Sequence, residues 1–98
     1  MTITKESSGS SMVFYLEGRL DTTTAPDLER EFRSSLDGIT DLTVDLEKLD
    51  YISSAGLRVL LSAQRIMNRQ GGMRVVHSNE AVMEVFEVTG FTDILTIE

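Results

Sequence analysis

The stretch "YISSAGLRVLL", Tyr51 to Leu61, decides the fold. An apolar pair, Tyr51 and Ile52, gives way to two adjacent serines, a small residue, a glycine and a long aliphatic run. That order reads as a strand handing over to a helix. A serine just before an apolar helical run is a natural N-cap, because its oxygen accepts an otherwise orphaned N–H of the first turn, with a stabilisation of about 1 kcal/mol. Either Ser53 or Ser54 can serve, and one hydroxyl is enough. Gly56 then falls in the first turn, where close approach of another segment is expected. Downstream, Leu57, Val59, Leu60, Leu61, Ala63, Ile66 and Met67 cover a wide arc, so the helix from Ala55 to about Met67 is deeply packed. Upstream, "DLTVDLEKL" alternates Leu42, Val44 and Leu46 with Thr43 and Asp45, the mark of a strand with one face partly exposed.

The same logic extends to both ends. "TITKE" and "MVFYLEG" flank the Ser/Gly cluster at residues 7–11 and form an N-terminal hairpin. Thr24 is placed to cap a helix, with Pro26 in its first turn and Asp27 three residues on. Leu28, Phe32 and Leu36 make its buried stripe, and Gly38 ends it. Gly71 and Gly72 stop the central helix, "MRVVHS" is a strand, and Asn79 caps "EAVMEVFEVTG" with the stripe Val82, Val85, Phe86 and Val88. "DILTIE" reads as a last strand. The order β-β-α-β-α-β-α-β calls for parallel strands joined by right-handed helical crossovers after the hairpin. The expected fold is α/β: a single two-layer domain over residues 1–98, with a mixed sheet and helices mainly on one face.

Composition narrows the function. The chain has 98 residues and a formal net charge of -7, which argues against phosphate-backbone and anionic-membrane binding and leaves a protein partner as the target, although on charge alone the acidity reads first as keeping the domain in solution. There is no cysteine, so neither a disulfide nor a thiolate zinc site is possible. The single histidine leaves only scattered carboxylates beside it, and no metal or cofactor is expected. No secretory leader and no apolar run near the about 18 residues of a membrane span is present, so the expected location is the cytoplasm, without membrane insertion. Nothing in the sequence calls for more than a monomer.

Catalysis finds little support. The nucleophile elbow needs glycine two positions before the serine, and that position is Ile52. "QGG" at 70–72 lacks the remainder of a phosphate loop. His77 follows a strand and is expected near the same sheet edge, where a lone histidine reads as a surface or packing residue. The second serine reads better as a modification site. A hydroxyl at a strand end and helix N-terminus projects from the rim where α/β domains place their sites. Orphan N–H groups there tolerate a phosphate. Phosphorylation would add roughly −1.5 to −2 charge to that surface.

These residues resemble a family. "LEKLDYISSAGLRVLL" is similar to the signature of the STAS domain, especially of bacterial anti-sigma-factor antagonists. "GRLDTTTAPDL" resembles the family's G-x-L-D loop, and "GGMRVVHSNEAVMEVFEVTGFTDIL" its closing strand and helix, so the resemblance spans essentially the whole chain. It implies that Ser54 is the phosphoacceptor, with Ser53, in place of the family's more usual Asp, as a rival. It implies that Asp21, Thr22, Thr23, Thr24, Ser53, Ala55, Gly56 and Leu57 surround that site on the docking face. The unphosphorylated protein would bind an anti-sigma factor with serine kinase activity and so release the sigma factor. Phosphorylation would end the binding, and a serine phosphatase would reset it. The protein would be substrate and switch rather than enzyme, with no nucleic-acid partner. A second role within the resemblance is an interaction or ligand-binding module of a transport system or signalling scaffold.

Overall fold

A computed structural model describes residues Met1 to Glu98. The chain runs β1 (Thr2–Ser8), β2 (Ser11–Leu20), α1 (Ala25–Ser35), β3 (Asp41–Ile52), α2 (Ser54–Gln70), β4 (Gly72–Val76) and α3 (Glu80–Val88). The sheet order is β1-β2-β3-β4. β1 and β2 pair antiparallel as a hairpin, while β2, β3 and β4 are parallel neighbours. This is the expected mixed sheet, with right-handed crossovers through α1 and α2 the economical way to join parallel strands.

One face of the sheet carries the core. Phe14, Leu16 and Leu20 of β2, Leu42, Val44 and Leu46 of β3, and Met73 and Val75 of β4 are buried, as are Leu28 and Phe32 of α1 and Leu60 and Ala63 of α2. The Phe14 and Phe32 rings meet with centroids 4.7 Å apart, locking α1 onto β2. The alternate positions of the strands, including Tyr15, Glu17, Asp45 and Glu47, line an open surface on the other face. The helices therefore cover one side and the domain is two-layered.

β3 departs from simple alternation. Tyr15 pairs with Asp45 and Glu17 with Lys48, then Gly18 with Leu49 and Arg19 with Tyr51. At each step β3 spends one residue more than β2, which is a β-bulge. Two bulges convert the buried spacing from two to three, so Leu46, Leu49 and Ile52 all face inward. The second bulge brings the strand to its end with Ile52 buried and Ser53 at the rim.

Several ends differ from the sequence reading. Thr24 occupies the N-cap position of α1 but its side chain makes no cap bond. Its hydroxyl instead donates to the Arg19 carbonyl at 2.8 Å and accepts the Asp21 N–H at 2.9 Å, and Asp27 pairs with Arg30. Gly71 alone closes α2, and Gly72 already belongs to β4. A Cβ at Gly71 would stand 2.0 Å from the Thr40 carbonyl oxygen, so glycine is required there by contact. Asn79 caps α3 as expected, accepting the Val82 N–H at 2.8 Å. Val88, however, is exposed rather than part of the buried stripe. The last strand is reduced to one bridge, Val75 with Ile97, because Phe91–Asp93 form a 3-10 turn.

Candidate functional site

The rim at the C-terminal ends of β2 and β3 assembles the predicted site. Leu20 and Ile52 are partners in the parallel ladder, and the Ser53 N–H donates to the Leu20 carbonyl at 2.9 Å. Asp21 begins the next turn, so the loop 21–24 and the serines share one edge although about thirty residues separate them in the chain.

The two serines have different tasks. Ser53 is the N-cap of α2, extended at φ -101 and ψ 175, and its Oγ accepts the Gly56 N–H at 3.3 Å. Ser54 is the first helical residue. It is exposed, and its hydroxyl has no partner within the chain. One hydroxyl is consumed by the helix and the other is offered to solvent. Ala55 is half-buried, and Gly56 and Leu57 are buried behind the two serines. A Cβ on Gly56 would stand 2.6 Å from Leu20 Cγ and 3.0 Å from Ile52 Cγ1. The expected close approach therefore holds, and it seats the first turn of α2 directly on the ends of β2 and β3.

Asp21 organises its own loop. Its Oδ1 accepts the Thr23 hydroxyl at 2.7 Å and the backbone N–H groups of Thr23 and Thr24 at 3.0 and 3.2 Å. The Thr23 hydroxyl is the main reason the Asp21 carboxyl is held below the usual aspartate range, and the two backbone donors act in the same direction. Thr23 and Thr24 thus have their hydroxyls tied up internally. Thr22 is exposed, and its hydroxyl makes no bond within the chain.

Arg58 and Arg19 are two rim residues that sequence reasoning missed. Arg58 lies one turn beyond Ser54, its Nε 3.4 Å from the Ser54 carbonyl. The i, i+4 spacing was the available signal. Arg19 stacks over the Tyr51 ring at 4.2 Å and its Nε is 3.8 Å from Asp21 Oδ2. Between the first turns of α1 and α2 runs an open groove of about 500 Å³ edged by Thr22, Pro26, Glu29, Arg58 and Ser62. The rim thus combines a free hydroxyl, orphan helix N–H groups and an open groove.

His77 is not at this rim. β4 ends opposite Asp45, and β3 continues seven residues further to Ile52, about 20 Å at strand rise. His77 instead places Nδ1 3.0 Å from Asp45 Oδ2. Nor are the carboxylates all scattered: Asp45, Glu47 and His77 converge, their donor atoms within 4.8 Å of one another.

The comparisons agree with this architecture. The family model for the STAS domain matches residues 2–98. A Bordetella bronchiseptica protein named as a candidate anti-sigma factor antagonist, BtrV, is 36% identical over 99% of this chain and 85% of its own length. The anti-sigma-B factor antagonist of Bacillus subtilis is 28% identical over 84% of this chain and 76% of its own. The crystal structure of an anti-sigma factor antagonist from Mycobacterium paratuberculosis superimposes with a TM-score of 0.88 at 25% identity, covering 98% of this chain and 83% of that one. Fold and rim define a small two-layer α/β module. The chain belongs to the STAS domain family, and the relatives named here are anti-sigma factor antagonists by name. No helix is long and apolar enough to cross a membrane.

Proposed function

We propose that this chain is a phosphorylation-switched anti-sigma-factor antagonist acting in the cytoplasm as a single domain. Unphosphorylated, it docks through the rim of Asp21, Thr22 and the α2 N-terminus onto an anti-sigma factor that is also an ATP-dependent serine kinase, and the sigma factor is released. The kinase transfers the γ-phosphoryl group of ATP to Ser54 Oγ. A new P–O bond forms at serine, the bond to the ADP leaving group breaks, and the hydroxyl proton passes to a base on the kinase. The added charge of roughly −1.5 to −2 then sits in the docking face and expels the partner. A serine phosphatase restores the hydroxyl.

The carrying observation is the division of labour at the strand-helix junction: Ser53 caps α2, while Ser54 is exposed and unbonded. A phosphate on Ser54 needs no structural bond to be broken. One on Ser53 would cost the helix its cap, which supports Ser54 over its neighbour. The exposed first-turn backbone is electrostatically suited to an anion, so the modified chain stays folded.

The test is incubation with the anti-sigma kinase encoded nearest to it and ATP, followed by mass-spectrometric mapping. One phosphate on Ser54 is expected, with none on Ser54→Ala. Mapping to Ser53 would move the acceptor by one residue. Absence of labelling by any such kinase would favour a non-switching STAS role in a transport system or scaffold.

A further inference from the structure

The open face of the sheet holds a second cluster, remote from the serine rim. We propose that Asp45, Glu47 and His77 form a three-ligand site for a divalent first-row transition ion, with Zn²⁺ as its natural probe. Their donor atoms all lie within 4.8 Å of one another. Donors sharing one ion at about 2.1 Å stand roughly 3.4 Å apart in a tetrahedral arrangement. Asp45 Oδ2 and His77 Nδ1 are 3.0 Å apart, a hydrogen-bond contact that needs to open only slightly to reach that spacing. Glu47 is exposed and has a flexible side chain, so its carboxylate can close the remaining gap.

The fold builds this arrangement in two ways. Asp45 pairs with Val76, so His77 leaves β4 directly beside it, and His77 takes φ 61, the left-handed conformation that lets the imidazole reach Asp45. Glu47 lies in the first bulge of β3, two residues after Asp45 and on the same open face. The Glu47 N–H donates to Asp45 Oδ1 at 2.9 Å. That bond fixes the carboxylate and turns Oδ2 toward His77, the kind of outer support that orients metal-ligating carboxylates. The Asp45 side chain is only 12% exposed, so it is a placed group rather than a waving one.

The donor chemistry selects the ion. Two carboxylates balance a dication, and a neutral imidazole nitrogen favours zinc, copper, iron or nickel over calcium, magnesium or manganese, which suit oxygen shells. Three protein ligands leave the remaining positions to water. Metal would tie the middle of β3 to the exit of β4.

The single histidine is a unique reporter. The full-length chain, freed of metal with a chelator, is titrated with Zn²⁺ while calorimetry and the imidazole NMR signals of His77 are followed. A saturable one-to-one event that moves the His77 ring signals and raises the unfolding temperature is expected. His77→Gly, which accepts the left-handed backbone and offers no donor, and Glu47→Gln should each weaken binding at least tenfold. Absence of saturable binding, or full affinity in His77→Gly, overturns the site. Full affinity in Glu47→Gln also overturns it, leaving a His77–Asp45 pair alone.

Discussion

The Ser53 N–H donates to the Leu20 carbonyl at 2.9 Å, and this one bond joins the two halves of the rim. Leu20 closes β2 and passes the chain to Asp21; Ile52 closes β3, and Ser53 passes it to Ser54. The loop aspartate and the free serine therefore leave the same edge of the sheet, because two parallel strands end in register. A one-residue slip of β3 against β2 would separate them and turn the buried residues of the slipped strand outward.

The two serines should separate cleanly by stability. Ser53→Ala removes the oxygen that accepts the Gly56 N–H and should destabilise the chain by about 1 kcal/mol. Ser54→Ala removes an exposed hydroxyl with no partner and should stay within about 0.5 kcal/mol of the parent. Urea unfolding of both variants checks this. A larger loss for Ser54→Ala than for Ser53→Ala would reverse the assignment of the cap.

Gly56→Ala should destabilise by about 1–3 kcal/mol, the usual penalty of forcing volume into a packed core. The new Cβ would meet Leu20 Cγ at 2.6 Å, and Leu20 is fully buried and has no room to yield. Coupling gives the sharper measurement. In a Leu20→Ala background the closest clash is gone and only the 3.0 Å approach to Ile52 Cγ1 is left, so the added cost of Gly56→Ala should fall markedly. Equal costs in both backgrounds would mean that the first turn of α2 does not rest on Leu20.

Much of this was legible in the sequence because it depends on local rules. The Ile52-Ser53 handover, the Asn79 cap, the Leu28–Phe32 stripe and the close approach at Gly56 follow from residue type and spacing. What escaped depends on pairing between distant strands. Alternation read through Leu46 gives no warning of the two bulges, although the spacing Leu46, Leu49, Ile52 records them. Thr24 looks like a cap until the Arg19 carbonyl and the Asp21 N–H compete for its hydroxyl. "DILTIE" has strand composition, but the turn at Phe91–Asp93 leaves only Ile97 in register with Val75. His77 and Asp45 are thirty-two residues apart, and only the β3–β4 register brings them together.

The Asp21 loop should be acid-sensitive in a defined direction. Hydrogen bonds from Thr23 and Thr24 favour the carboxylate and hold its folded pKa below the ordinary value of 3.8. The loop's contribution to stability is therefore complete above the unfolded value. It is lost as pH falls through the lower, folded value. Asp21→Asn cannot ionise, so its stability should lack this component of the acid dependence, and the difference between parent and variant should shrink as the pH is lowered. Carboxyl chemical shifts of Asp21 against pH give the folded value directly. A midpoint at or above 3.8 would show that the Thr23 and Thr24 bonds do not outweigh the opposing desolvation of the carboxylate.

Charge at position 54 should weaken partner binding without unfolding the chain. Ser54→Asp places a carboxylate on the first residue of α2, where the exposed N–H groups and the positive end of the helix favour an anion. Its unfolding midpoint should match or slightly exceed that of the parent. The same charge lies beside the groove edged by Thr22 and Arg58. If that groove receives the anti-sigma factor, docking must strip water from the carboxylate or set it against a like charge, at a cost on the order of several kcal/mol. Ser54→Ala adds no charge and should bind as the parent does. The comparison is between affinities of the three chains for the same anti-sigma factor, with an expected loss of roughly a hundredfold or more for Ser54→Asp alone, each 1.4 kcal/mol being about tenfold. Equal loss in Ser54→Ala would mean that the hydroxyl itself is recognised. Full affinity in Ser54→Asp would place the docking surface away from this rim.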